Sequence, residues 1–145
     1  MTRKIFQSIL LAAAVALLAS LATVMGILYP YFSDLQEREL GEELKLTASA
    51  VEQGGLDYLE TLAPGTVRVT WVAGDGTVLY DSEADPASME NHADRKEIRD
   101  ALAYGQGSDS RTSATLLEET MYRAQRLEDG TVLRLSARRA TAARL

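Results

Sequence analysis

The segment Ile5–Leu28 reads IFQSILLAAAVALLASLATVMGIL and contains no charged residue. It directly follows Arg3 and Lys4. A helix rises about 1.5 Å per residue, so a helix over this segment would be about 36 Å long, enough to cross a hydrocarbon core of about 30 Å with some tilt. The segment therefore predicts a transmembrane helix over residues 5–28, a cytoplasmic stub over residues 1–4, and the lipid bilayer as a partner.

An N-terminal apolar segment can also be a signal peptide that is removed. Ser20 and Ala22 are small residues of the kind found at cleavage sites, but the apolar segment continues to Leu28, longer than a usual signal core. We therefore expect an anchor that stays uncleaved. Ala12, Ala16 and Ser20, spaced by four, form a small-residue face that would permit close approach of a second transmembrane helix.

The charges predict the orientation of the chain. Arg3 and Lys4 favour a cytoplasmic start, so the rest of the chain is expected on the extracytoplasmic side. All 21 acidic residues lie between positions 30 and 133, where only nine Lys and Arg accompany them, which gives this region a net charge of −12. Because a surface this acidic would repel a phosphate backbone, we predict no nucleic-acid partner. The absence of cysteine excludes disulfides, thiolate metal sites and a cysteine nucleophile.

Residues 29–54 predict a second, membrane-proximal helix. Aromatic residues typical of the headgroup level stand at its start: Tyr29, Tyr31 and Phe32. Pro30 has no backbone N–H to donate, so we expect the helix to bend or restart there. Gly54 and Gly55 predict its end.

An apolar stripe recurs along this second helix at spacings of four, four and three: Leu40, Leu44, Ala48 and Val51. Such spacing places the four side chains on one side of a helix. Two interpretations are open. The stripe packs on the sheet of its own domain, or it also pairs with the same helix of a second copy as a short parallel coiled coil, which would make the protein a homodimer.

From residue 67 the hydrophobic period changes from helical to alternating. Strands are predicted over residues 67–73 and 77–81 and, after a helix over residues 97–104, over residues 110–115, 121–127 and 131–137. A long helix, two strands, a helical connection and three strands predict an α+β fold with a five-stranded antiparallel sheet. We expect the long helix on one face of the sheet and the connection over residues 82–107 on the other.

Four phrases carry a more specific resemblance: RVTWV over residues 68–72, GTVLYDS over 76–82, MENHADR over 89–95, and Glu97-Ile98. Their order and spacing, behind a single anchor, resemble the extracytoplasmic PAS-like or Cache-like input domain of phosphate-regulon type sensor histidine kinases of Gram-positive bacteria. The resemblance covers nearly the whole chain. It implies a dimeric receptor of a two-component system that passes a helix displacement to a cytoplasmic kinase.

In the terms of this resemblance, residues 29–54 would be a signalling helix, residues 55–137 a PAS-like sensor domain, and residues 138–145 a basic tail leading to a second span that is missing. Such kinases also have a phosphoacceptor-histidine helix and an ATP-binding domain, which these 145 residues lack. We therefore expect no kinase activity from this chain, and a response regulator as partner only through a full-length parent. The alternative is a self-contained anchored ligand-binding or adaptor protein of the cell envelope.

The signal of such a receptor would be a small molecule or an envelope protein, and the resemblance places a small-molecule pocket between the sheet and the connection. Tyr80, His92, Arg95 and Tyr122 would contribute polar groups, with Arg95 offering a bidentate grip on an anion. In the alternative interpretation both tyrosines are core aromatics and Arg95 pairs with a local acid.

Metal and catalytic sites are not expected. Asp81, Glu83 and Asp85 alternate as in a calcium loop, but Pro86 and His92 occupy the positions at which such a loop has glycine and glutamate. With one histidine, no cysteine and no Gly-x-Ser-x-Gly turn, the usual hydrolase constellations are missing. We predict no metal, no cofactor and no catalytic residue.

Overall fold

The computed structural model describes residues 1–63, 65–112 and 118–140, with the backbone alone at residue 140. The chain divides into two units, Met1–Glu37 and Arg38–Leu145. The first unit is helical from Thr2 onward, and the second contains the sheet.

Helix α1 spans Thr2–Thr61 and begins with the apolar segment. An 18-residue window in α1 has a mean hydropathy of 2.4 and is 0% buried, so the helix is long and apolar enough to cross a membrane. The predicted N-terminal apolar helix is confirmed. The small-residue face is exposed on this helix: Ala12, Ala16 and Ser20. Pro30 lies inside α1 and the helix does not restart there, although the proline ring removes one backbone hydrogen bond of the helix.

Near its C-terminal end, α1 is interrupted at Gly55, whose φ of 58° and ψ of −142° are not helical. A side chain is strained in this conformation, whereas glycine adopts it readily. The helical backbone resumes after Gly55 and ends at Thr61. The pair Gly54-Gly55 thus interrupts the helix where the sequence predicts its end.

The sheet contains the five antiparallel strands that the element order predicts, and their spatial order is β2-β1-β5-β4-β3. The strands are β1 (Val67–Val72), β2 (Val78–Asp81), β3 (Gln106–Thr112), β4 (Glu118–Arg126) and β5 (Val132–Ala140). A short 3₁₀ helix (Pro86–Ser88) and helix α2 (Lys96–Tyr104) connect β2 to β3.

Some strand bounds differ from the sequence prediction. β3 begins at Gln106 and not at residue 110, because Gly105, with a φ of 92°, ends α2 and leads directly into the strand. Its sequence QGSDSRT has no apolar side chain, so hydrophobic alternation could not reveal it. Residues 113–115 of the predicted strand lie outside the described residues. Arg138 and Arg139 belong to β5, paired with Thr120 and Glu119 of β4, where we had expected a basic tail.

One face of the sheet packs on α1 through an apolar core, with Glu119, Arg123, Gln125 and Arg139 on the same face around it. We call it the apolar face. Side chains from α1 and from four strands form its core: Leu40, Leu44, Ala48, Val51, Leu59, Val69, Met121, Leu133 and Leu135, with Trp71 and Tyr80 packed against them.

The opposite face carries α2 and contains only a small apolar cluster: Val72, Ile98, Ala101, Ala124 and Val132. Gly107 permits the close approach of α2, since a Cβ atom there would lie 2.1 Å from the carbonyl oxygen of Glu97. The remainder of this face consists of polar and charged side chains, and we call it the polar face: Arg68, Thr70, Asp81, Arg111, Tyr122, Arg134, Ser136 and Arg138.

Candidate functional site

Strand register brings the side chains of the polar face together in rows. Arg68 of β1 lies opposite Ser136 of β5, which lies opposite Tyr122 of β4. In the next row, Thr70 lies opposite Arg134. Because neighbouring strands are about 4.8 Å apart, polar side chains within a row reach one another directly.

Glu97, in the first turn of α2, projects its fully buried carboxylate onto this face. Its Oε1 accepts a hydrogen bond of 3.0 Å from Arg134 Nη1, and its Oε2 accepts one from Arg111 Nη2. Arg111 Nε also donates to Asp109 Oδ2 at 3.0 Å. We call Arg111 and Arg134, with Glu97 between them, the arginine clamp. It attaches α2 to the sheet through charge-assisted hydrogen bonds.

The network continues from the clamp to the edge strand β2. Arg134 Nη2 donates to Thr70 Oγ1 at 3.2 Å, and this hydroxyl donates to Asp81 Oδ2 at 2.8 Å. Asp81 also accepts from Arg68 Nε, which lies 3.0 Å from each carboxylate oxygen. An unbroken series of polar contacts therefore crosses the sheet from β2 to β3.

Tyr122 supports the clamp from the sheet. The Cζ atom of Arg111 lies 4.2 Å from the centre of the Tyr122 ring, and that of Arg134 lies 5.1 Å away. Guanidinium groups within about 6 Å of an aromatic ring are attracted to its electron-rich face. Tyr122 therefore helps to hold two positive charges near one another.

The buried charges of Asp81 and Arg134 differ in how their surroundings shift the pKa. Burial raises the pKa of Asp81, but hydrogen bonds from the Glu83 N–H and from Arg68 and Thr70 more than offset it, so this pKa lies below its usual value. Burial lowers the pKa of Arg134, although Glu97 acts against this. Arg134 Nε is buried without a hydrogen-bond partner in the part of the chain that the structure describes. An unsatisfied donor of this kind costs about 1–3 kcal/mol, so the clamp is not arranged for maximal stability.

His92 lies close enough to the clamp to sense its charges. Its side chain is buried, and Nδ1 lies 2.8 Å from the carbonyl oxygen of Glu90. Burial lowers the pKa of His92, and the positive charge of Arg134 lowers it further. The imidazole is therefore neutral at pH 7.

Comparison with known proteins identifies no family. No protein-family model matches the chain, and no curated protein matches it. Among solved structures, the chain is similar to the extracellular domain of a candidate histidine kinase, rpHK1S-Z16, with 12% sequence identity and a TM-score of 0.41. The match covers 63% of this chain and 37% of that chain. A similarity at this level carries no conclusion about function.

The four predicted pocket residues do not share one site. Tyr122 lies on the polar face, and His92 is buried near Arg134. Tyr80 is paired with Trp71 and therefore lies on the apolar face, where its hydroxyl donates to the carbonyl oxygen of Leu59 at 3.1 Å. Arg95 is exposed at the N-terminus of α2 and makes no capping hydrogen bond with its side chain.

The predicted dimer stripe lies in the core of its own domain: Leu40, Leu44, Ala48 and Val51 are all buried against the apolar face. The stripe thus packs on the sheet of its own domain, which is the first of the two interpretations given above. Since they are covered within one chain, a pairing of two chains would have to use other side chains of α1.

The alternating acids after β2 do not surround a common point. Asp81 is turned inward to Arg68 and Thr70, while Glu83 and Asp85 are exposed. Asp85 Oδ1 instead accepts a hydrogen bond from the Ala87 N–H at the start of the 3₁₀ helix. Among the described residues, no group of three or more His, Asp or Glu side chains could hold a metal ion.

The sequence prediction missed the clamp itself. Glu97 stood inside a predicted helix and Arg134 inside a predicted strand, but neither was assigned a role. A signal was present in β5, where Arg134, Ser136 and Arg138 alternate with apolar residues. This alternation indicates one polar face on a central strand, where a buried charge needs a partner.

Proposed function

We propose that this chain is the membrane-anchored, extracytoplasmic signal-input region of a two-component sensor histidine kinase of the phosphate-regulon type. The observation that carries the proposal is the make-up of α1. Its N-terminal part holds the apolar segment, and its C-terminal part supplies Leu40, Leu44 and Val51 to the core of the sheet domain. One helix therefore belongs to both the proposed anchor and the proposed PAS-like sensor.

Helix α2 would be the part that responds to a signal. It rests on a small apolar cluster and on the arginine clamp, whose charged contacts can be exchanged for those of a ligand more readily than buried apolar surface. A shift of α2 would alter the sheet, and the sheet packs directly on α1. In a homodimeric parent, the resulting helix displacement would reach the kinase and its response regulator.

The gene sequence tests the kinase assignment. A second apolar span after the codon for Leu145, followed by a histidine-bearing helix and an ATP-binding domain, is the expected result. A stop codon directly after Leu145 would contradict it and would favour the self-contained binding or adaptor protein.

Single-cysteine labelling tests the orientation, because the chain has no cysteine of its own. Leu46→Cys lies on an exposed part of α1 and should react with a membrane-impermeant maleimide in intact cells. Thr2→Cys should react only after the cells are permeabilised. The reverse pattern would refute the extracytoplasmic placement.

N-terminal sequencing of the exported protein tests anchoring. We expect the original start. A new terminus at Leu21 or Thr23 would show that the apolar segment is a cleaved signal peptide.

A further inference from the structure

A second feature of the polar face lies beside the arginine clamp. A cavity of about 180 Å³ opens over β1, β5 and β4. Two rows of side chains from these strands and the preceding turn line it: Arg68, Ser136 and Tyr122 in one row, and Thr66, Arg138 and Thr120 in the other. We call it the Arg68–Arg138 cavity.

The lining consists of groups that bind anions. It offers two guanidiniums and four hydroxyls, and its one carboxylate is that of the half-exposed Glu83. Arg68 uses Nε for Asp81, and its Nη1 lies 3.7 Å from Glu83, too far for a hydrogen bond. Within the described residues, Arg138 has no ion-pair partner. Donor groups therefore remain available for a ligand.

The volume restricts the ligand to a small one. Drug-sized ligands occupy pockets of about 300–1,000 Å³, whereas about 180 Å³ corresponds to roughly six water molecules of about 30 Å³ each. A planar guanidinium fits two oxygens of one carboxylate or phosphate group. Size and donor chemistry together point to a small oxyanion.

We propose that the Arg68–Arg138 cavity binds a small oxyanion, a carboxylate or a phosphate group, between its two guanidiniums. The anion lies next to Tyr122, whose ring carries both arginines of the clamp. Binding there involves Tyr122, which also supports the clamp. The meaning of this anion as a signal rests on the sensor role proposed above, but its binding does not.

Isothermal titration calorimetry on the full chain in maltoside micelles tests the proposal, with inorganic phosphate and acetate as separate probes. Ionic strength is held constant with chloride, and the micelles contribute no phosphate headgroup. We expect saturable binding of at least one probe. Arg138→Ala should weaken it by about tenfold or more, the scale of one charge-assisted hydrogen bond.

Two further variants keep the test independent of folding. Arg99→Ala removes an equal charge from the exposed surface of α2, outside the cavity, and should leave the affinity unchanged. Glu83→Gln removes the competing carboxylate and should raise the affinity about two- to fivefold, a gain that misfolding cannot produce.

The proposal is overturned if neither probe binds the wild-type chain or Glu83→Gln, or if Arg138→Ala binds as the wild type does. An equal loss in Arg99→Ala also overturns it, because the attraction would then be that of general surface charge. A stop codon after Leu145 would refute the kinase assignment and leave these binding results unaffected.

Discussion

The two faces of the sheet are held to their helices by different forces. The apolar face meets α1 through a continuous set of buried leucine, valine and aromatic side chains. The polar face meets α2 through five small or branched apolar residues and through Glu97, which is bound by Arg111 and Arg134. The two helices pack on opposite faces of one sheet, and the attachment of α2 includes a buried ion pair.

Because of this difference, the two contacts should react differently to a small shift or to the loss of one side chain. Apolar burial is non-directional and roughly proportional to area, so the contact with α1 tolerates small shifts without losing its free energy. A buried ion pair depends on both partners, because removal of one leaves an uncompensated charge. The attachment of α2 can therefore be lost through a single group, and the first prediction removes that group.

Glu97→Gln should have the largest effect. The substitution keeps the size of the side chain but leaves Arg134, which is 4% exposed, without a buried counter-charge. We expect the free energy of unfolding to fall by about 3–5 kcal/mol. Urea denaturation of the full chain in micelles, followed by the fluorescence of its single tryptophan, Trp71, measures this.

Asp100→Asn is the matched control for this change. Asp100 pairs with Lys96 on the partly exposed side of the same helix, at 3.1 Å. The control should lose less than about 1 kcal/mol. Equal losses of unfolding free energy in the two variants would mean that the buried ion pairs of the clamp contribute no more than an exposed ion pair.

Leu44→Ala tests the apolar face. Truncation of this buried leucine in α1 should lower the free energy of unfolding by about 2–5 kcal/mol, through lost burial and the cavity left behind. Leu46→Ala, two residues on and 74% exposed, should change it by less than about 0.5 kcal/mol. A substantial loss in Leu46→Ala, measured by the same denaturation, would indicate that a partner covers the outer side of α1.

Thr70→Val tests whether the network extends beyond the clamp. Valine keeps the shape of threonine but removes the hydroxyl that joins Arg134 to Asp81. We expect a loss of about 1–3 kcal/mol, the cost of leaving buried polar groups unsatisfied. Thr112→Val, at an exposed site in β3, should be neutral within about 0.5 kcal/mol. Equal values for the two variants would show that the Thr70 hydroxyl contributes nothing.

The smallest effect is expected from pH. Because burial and Arg134 lower the pKa of His92 in the folded chain below 6.5, the imidazole is neutral in both states above this pH. As the pH falls below 6.5 the unfolded chain binds the proton first, so the free energy of unfolding decreases until the folded chain is protonated as well. His92→Gln should reduce this slope between pH 7 and pH 5 in denaturation measurements. An unchanged slope would exclude His92 as its source.

Most of the fold could be predicted from the sequence, because the spacing of apolar residues distinguishes helices from strands. The stripe Leu40, Leu44, Ala48, Val51 predicts the helix face that is buried, and the alternating period predicts the paired strands β1 and β2. The polar strand β3 has no hydrophobic period, and its predicted start was wrong by four residues.

The candidate site was less accessible, because it depends on pairs that are distant in the chain. Glu97 and Arg134 are 37 residues apart, and Thr70 and Arg134 are 64 apart. Such pairs follow only from strand order and register. The same information was needed to see that Tyr80 and Tyr122 lie on opposite faces, since both occupy plausible strand positions.

The interruption at Gly55 affects how motion can travel along α1. A helix passes rotation and sliding along its axis because its hydrogen bonds are continuous, and Gly55 ends that continuity. The residues on both sides of it nevertheless pack in one core, since Val51 and Leu59 are both buried there. Apart from the local backbone, no atom lies within 4 Å of a Cβ built at Gly55, so packing against other elements does not impose this conformation. A movement of the part of α1 before Gly55 is therefore coupled to the part after it through side-chain packing in the core and not through helical hydrogen bonds.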